Sequence, residues 1–102
     1  RVLRFGDIEL DLKSCELSNQ KTGAAIKLGA KEFQLLEYLM RNSTQILTRE
    51  QIAEKIWGFD SDAEYNNVEV YISFLRKKIS FIDAKSRIKA VRGVGYILEE
   101  PS

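Results

Sequence analysis

The spacing of apolar positions along the chain changes twice. Over residues 1–28 the period is two: Leu3 and Phe5, then Ile8, Leu10 and Leu12, stand on one face, with Asp7, Glu9, Asp11 and Lys13 between them. Gly6-Asp7 and the run Ser18-Asn19-Gln20-Lys21-Thr22-Gly23 carry turn chemistry. Three or four short antiparallel strands are predicted, the last holding Ile26 and Leu28, with Cys15 as a half-buried strand residue. A sheet with one apolar face needs a cover, which the following segment must supply.

From Ala30 the spacing is helical. Phe33, Leu36, Leu39 and Met40 predict a first helix with Gly29 as its N-cap, ended by Asn42-Ser43-Thr44. Thr48 and Gln51 stand at capping-box spacing, and Ile52, Ala53 and Ile56 give a short second helix that Gly58 stops. Residues 59–65 read as an acidic loop, and a third helix is predicted over 67–79. Two β-runs, 88–91 and 96–98, flank Arg92-Gly93-Val94-Gly95 as a hairpin, with both glycines as turn residues. The order of strands, three helices and hairpin is α+β. The expectation is a single domain over 1–102: a sheet of about four strands (1–28), a three-helix core (29–80) and a terminal hairpin (87–99).

Charge adds a direction to this picture. The net charge is +1, yet residues 1–65 hold nine Lys/Arg against eleven Asp/Glu, whereas residues 66–97 hold seven against two. A basic face on an acidic body suits a polyanion partner; an ordinary solvated surface is the alternative. The 102 residues, 44% hydrophobic and 30% charged, suffice for one packed core. With no histidine and one cysteine, a His-dependent hydrolase, a mixed Cys/His zinc site and a disulfide framework are excluded.

The lone thiol fits a reducing, cytoplasmic compartment, and no apolar run or leader pattern points to a membrane. Asp60, Asp62 and Glu64 alternate as in calcium loops but lack the glycine and terminal glutamate, so no metal is expected. Without a nucleophile, base or ligand set, neither an enzyme, a cofactor nor a small-molecule substrate is expected. The only methionine is Met40, so the chain is expected to be a domain of a longer protein.

The third helix carries most of the functional signal. At about 100° per residue, Val68, Ile72, Leu75 and Ile79 share a narrow core sector. Opposite lie Asn67, Val70, Phe74 and Lys77, flanked by Asn66, Ser73 and Lys78. Phe74 sits roughly 130° from the core stripe, where it either packs under the hairpin or a loop, or meets a partner. Amides, a hydroxyl, apolar groups and cations on one face match a DNA major groove, whose edges offer hydrogen bonds and thymine methyls beside phosphates. A short second helix bracing the third, followed by a basic hairpin, is a helix-turn-helix with a wing.

Four motifs carry a family resemblance across essentially the whole chain: Glu32-Phe33 with Leu35-Leu36, Leu47-Thr-Arg-Glu-Gln-Ile52 with Ile56-Trp-Gly58, Val68 to Ile79, and Val91-Arg-Gly-Val-Gly-Tyr-Ile-Leu98. Together they resemble the C-terminal effector domain of OmpR/PhoB-type response regulators. The resemblance implies a winged helix behind a four-stranded sheet, following a receiver domain absent from this chain. Phosphorylation of that receiver would promote dimerisation on DNA, with tandem binding to direct repeats about one turn apart.

By the same resemblance, Asn66, Asn67, Val70, Tyr71, Ser73 and Phe74 fall where the family contacts DNA, with Arg76 and Lys77 at the basic end of the helix. Arg92 and Gly93 fall at the wing tip beside the minor groove. Trp57 and Tyr96 match phosphate-contacting aromatics, and Thr48 and Arg49 stand at a helix N-terminus suited to phosphate. Trp57, Tyr96 and Tyr71 have core packing as their alternative, and Thr48 is a helix cap in either case. The family often places arginines where Ser73 and Phe74 stand, which shifts phosphate anchoring toward Lys77, Lys78 and the wing. Phe74 and Asn67 suggest an A/T-leaning site.

Loop 59–65 occupies the position of the family's transactivation loop, which contacts RNA polymerase; an ordinary acidic loop is the alternative. Two rival readings are the same domain in a membrane-anchored or larger activator, and a protein-interaction module docking through Phe74 and Val70.

Overall fold

The computed structural model describes residues 1–58 and 67–102; the acidic loop 59–65 and Asn66 lie outside the described residues. Strands β1 (Val2–Phe5), β2 (Ile8–Asp11), β3 (Glu16–Asn19) and β4 (Ala25–Lys27) form an antiparallel sheet in chain order. The register lines Leu3, Leu10, Leu17 and Ile26 in one row across all four strands. That row, with Ile8, is the apolar face the alternation foretold. Ile8, Leu10 and Leu17 are fully buried.

Helix α1 (Ala30–Arg41) covers the sheet through Leu35, Leu36, Leu39 and Met40. Gly29 caps it without a side chain, and its own N–H donates to Glu32 Oε1 at 2.6 Å. Helix α2 (Arg49–Trp57) begins at the foreseen capping box: Gln51 N–H donates to Thr48 Oγ1 at 3.0 Å, and Thr48 N–H to Gln51 Oε1 at 2.8 Å. At its other end Gly58 has φ +82° and returns its N–H to the Glu54 carbonyl. Helix α3 (Val68–Phe81) inserts Val68, Ile72, Leu75 and Ile79 into the same core. Each such fully buried aliphatic side chain contributes about 1.5–3 kcal/mol.

The chain closes as β6 (Arg87–Val91) and β7 (Gly95–Glu99), and β7 also pairs with a two-residue strand, β5 (Leu47–Thr48), in the order β5-β7-β6. Five details differ from the sequence expectation. Strand β4 ends at Lys27, so Leu28 follows the strand, buried, with its N–H donated to the Cys15 carbonyl. Strand β5 was not foreseen, because two residues carry no period. Helix α3 runs two residues past 79, since Ile82 beyond it is buried and continues the apolar face. Cys15 lies in the turn between β2 and β3 at φ +62°, not in a strand. Gly95 is a strand residue rather than a turn residue; only Gly93, at φ +76°, serves the hairpin turn.

The first β-turn is clasped to the far end of the chain. Asp7 is 5% exposed, and its carboxylate accepts from Lys85 N–H (2.6 Å), Ser86 N–H (3.0 Å) and Ser86 Oγ–H (2.6 Å). Asp7 N–H in turn donates to Ser86 Oγ. The approach is close enough that a Cβ on Gly6, at φ +55°, would lie 2.2 Å from Ser86 Oγ. Asn19 adds a second tie, donating from Nδ2 to the Ile82 carbonyl at 3.0 Å. Among the described residues, no buried side-chain polar atom lacks a partner.

Burial works against ionisation of Asp7, but the donors from Lys85 and Ser86 outweigh it and hold the carboxyl below its ordinary range. Asp7 therefore contributes stability above the unfolded value of about 4, lost as pH falls through the lower folded value. Asp7→Ala is expected to cost about 2–3 kcal/mol at neutral pH, with the deficit shrinking in acid. Denaturant titrations of both proteins at neutral and acid pH check this; equal midpoints at neutral pH would refute it.

Candidate nucleic-acid interface

The burial of its inner stripe sets the rotation of α3. Val70 (44% exposed) and Phe74 (41%) face outward, with Ser73 and Lys77 exposed beside them. Phe74 stays exposed and meets Tyr71 of the same helix edge-on, with ring centres 5.3 Å apart. Tyr71 tilts against Trp57 at 5.5 Å, so three rings run in file from the core to the surface. Trp57 belongs to the core, with the Lys31 ammonium 6.0 Å from its ring centre. Asn67 caps α3 from a half-buried position, without a side-chain capping bond.

The cations divide into two groups. Arg76 turns to the hairpin: its Nε and Nη2 donate to the Ile88 carbonyl at 3.2 and 2.8 Å, and its guanidinium lies 6.0 Å from the half-buried Tyr96 ring. Lys78 turns to α1, donating to Glu32 Oε1 at 2.6 Å and to the Lys27 carbonyl at 3.1 Å. Lys77 and Arg92 are exposed, and neither pairs with a carboxylate among the described residues. The outer face of α3 therefore presents Lys77 as its ready cation, with Arg92 on the hairpin.

Arg49 stands at the first position of α2. Its Nε and Nη2 donate to the two Glu69 carboxylate oxygens at 2.6 and 3.0 Å, joining the start of α2 to the first turn of α3. The Arg49 hydrogen bond outweighs the opposing effect of burial and holds the Glu69 carboxyl below its ordinary range. Sequence reading did not single out Glu69. Its partner is 20 residues away, so no local spacing announces the pair; only its place in the first turn of the informative helix could have drawn notice.

The hairpin is held by a missing side chain. Leu47 pairs with Tyr96 and Thr48 with Gly95. A Cβ on Gly95 would lie 2.0 Å from the Leu47 carbonyl oxygen. The inner hairpin strand is thus docked one residue before α2 begins, and Arg49, Glu69, Ala90, Arg92 and Tyr96 border a common cleft. Val94, 50% exposed, and Arg92 project at the hairpin tip. Among the described residues no group of His, Cys, Asp or Glu is arranged to hold a metal, and no helix is long and apolar enough to cross a membrane.

A three-helix core, a helix with an exposed mixed face and a hairpin strapped beside it define a winged helix-turn-helix domain. Residues 23–98 match the family described as "Transcriptional regulatory protein, C terminal". The chain belongs to this family, the winged-helix effector domains of response regulators, whose members are transcription regulators and not enzymes.

The transcriptional regulatory protein DltR of Streptococcus agalactiae is 46% identical over 98 residues, 96% of this chain and 43% of that protein. The response regulator MprA of Mycobacterium tuberculosis is 41% identical over 99 residues, 97% of this chain and 42% of its own length. The chain thus spans less than half the length of these relatives. Among solved structures, the C-terminal domain of the nisin resistance regulator NsrR superposes with a TM-score of 0.76 at 35% identity, covering 98% of this chain and 99% of that one. The DNA-binding domain of Klebsiella pneumoniae RstA, in complex with the RstA box, does so at 0.76 and 28% identity, covering 95% of each chain.

Gly95→Ala is expected to lower stability by about 1–3 kcal/mol through overpacking against β5. It should also speed amide exchange in β5 and β7. Gly93→Ala, which meets no atom within 4 Å but must hold a positive φ in the β6–β7 turn, should cost about 1 kcal/mol through turn strain and speed exchange in β5 less than Gly95→Ala does. Melting curves with residue-resolved hydrogen exchange compare the two; equal exchange would contradict the strapping role of Gly95.

Proposed function

We propose that this domain binds double-stranded DNA sequence-specifically, with α3 in the major groove and the β6–β7 wing at the minor groove. The observation that carries it is the outer face of α3, where exposed Val70, Ser73 and Phe74 stand beside Lys77 with Asn67 at the helix start. The complex of the related RstA domain with its box supports the same class of partner. Val70 and Phe74 meet thymine methyls, Asn67 and Ser73 bond base edges, and the site leans to A/T. Arg92 and Gly93 approach the minor groove, where a narrow A/T tract attracts the guanidinium.

Lys77 anchors phosphate, while Arg76 and Lys78 act first as braces that hold α3 against the wing and α1. The Thr48 hydroxyl caps α2, leaving the free amides of that helix start to meet phosphate. Trp57, Tyr71 and Tyr96 set the edge of the core along the groove, with the polar ends of Trp57 and Tyr96 toward phosphate. Two copies bind in tandem on direct repeats, in a cytoplasmic two-component regulator whose receiver domain controls pairing. Asn66 joins the base contacts, and loop 59–65 meets RNA polymerase.

The exposure of Val70 and Phe74 favours one second reading, an apolar docking surface for a protein. Salt separates the two, because phosphate contacts make affinity fall steeply with salt and an apolar interface does not. Selection from a random duplex pool should return a direct repeat with a period of about ten base pairs. Lys77→Ala should weaken binding to all sequences and lower the salt slope by about one. No enriched motif, from the chain or from a forced dimer of it, would overturn the DNA reading.

A further inference from the structure

The first turn of α3 carries a charge of the wrong sign for a polyanion. Glu69 is exposed there, with 53% of its side chain accessible. Helix-turn-helix docking brings the N-terminal residues of the second helix to the base edges. On the DNA-binding reading proposed above, on which this inference rests, the carboxylate stands at the groove. A loose carboxylate among phosphates would weaken binding to every sequence.

Glu69 is not loose. Arg49, with only 24% of its side chain exposed, grips both oxygens at 2.6 and 3.0 Å. The fork cancels most of the long-range repulsion and aims the carboxylate in one direction. Each carboxylate oxygen has two acceptor sites, and a fork engages one of them. Beyond the fork and the residue's own backbone N–H, no other described residue donates to the carboxylate, and its exposed side keeps short-range acceptor capacity.

The major-groove edges answer such a group unequally. Guanine presents N7 and O6 and thymine presents O4, all acceptors that repel it. Adenine offers its N6 donor next to the N7 acceptor, a pair that suits an amide better than a carboxylate. Cytosine offers its N4 amino group as a donor alone. We propose that Glu69 is a specificity-determining residue that selects one cytosine in each half-site through the N4 amino group, with Arg49 as its positioning residue. The rest of the half-site stays A/T-leaning, since Phe74 and Val70 are apolar.

The test runs selections from a random duplex pool in parallel with the unaltered chain, Glu69→Gln and Arg49→Lys, each checked for a cooperative melt. The unaltered chain should enrich a motif with one cytosine position per half-site. Glu69→Gln should keep the rest of the motif and admit adenine there, the cytosine-over-adenine ratio falling by about five- to a hundredfold. Arg49→Lys, a cation without the fork, should blunt the same preference.

A second measurement needs no variant. Replacing that cytosine by N4-methylcytosine puts a methyl where the major-groove proton was and should weaken binding of the unaltered chain. A motif without such a cytosine, an unchanged preference in Glu69→Gln, or full affinity for the methylated duplex would each overturn the role of Glu69 and leave DNA binding standing. Failure of the unaltered chain to enrich any motif would overturn the DNA reading and this one with it.

Discussion

The burial of Val68, Ile72, Leu75 and Ile79 fixes the rotation of α3, and that rotation decides what the helix shows. A turn of 100° about its axis would bury Glu69 in place of Val68, or in the other sense Tyr71 in place of Ile72, and send aliphatic side chains to water. The sheet and α1 serve this constraint from below, since Leu10, Leu17, Leu35 and Leu39 belong to the same continuous core. With the inner stripe held, Val70, Phe74 and Lys77 have one direction available to them.

Lateral position is a separate matter, governed by polar contacts at the margins of the helix. Arg76 binds the Ile88 carbonyl on one flank and Lys78 binds Glu32 on the other, while Arg49 holds the first turn from α2. Cations that the charge tally assigned to a polyanion thus work inside the protein. Lys85, Arg87 and Lys89 are also paired, with Asp83 or Glu99. Segregation of basic residues into 66–97 was visible along the chain, but where each ammonium or guanidinium ends depends on neighbours brought close only by folding.

The same boundary separates what was legible from what was not. Elements with a period appeared where expected: the alternating strands, the 3.6-residue stripe of α3 and the capping box of α2. Features that depend on one contact between distant segments did not. Leu47-Thr48 is a strand only because Gly95 lets it approach, and Gly95 looked like a turn residue because glycine suits both uses. Cys15 fitted the alternation, yet its backbone turns at φ +62°. In the interface, the exposed face of α3 followed from angle alone, whereas the Arg49–Glu69 fork crosses 20 residues and left no local trace.

The clasp between the first turn and the end of the chain has a consequence for synthesis. Asp7 leaves the ribosome ahead of the Ser86 groups that satisfy it, which follow 79 residues later. Until then the carboxylate has only water, and the Gly6 turn is shaped for a hydroxyl not yet made. Contacts this far apart in sequence close late, because the intervening chain must surrender its freedom first. The strands built first are therefore among the last parts of the domain to be completed, and a nascent chain halted before the wing would carry an unfinished sheet.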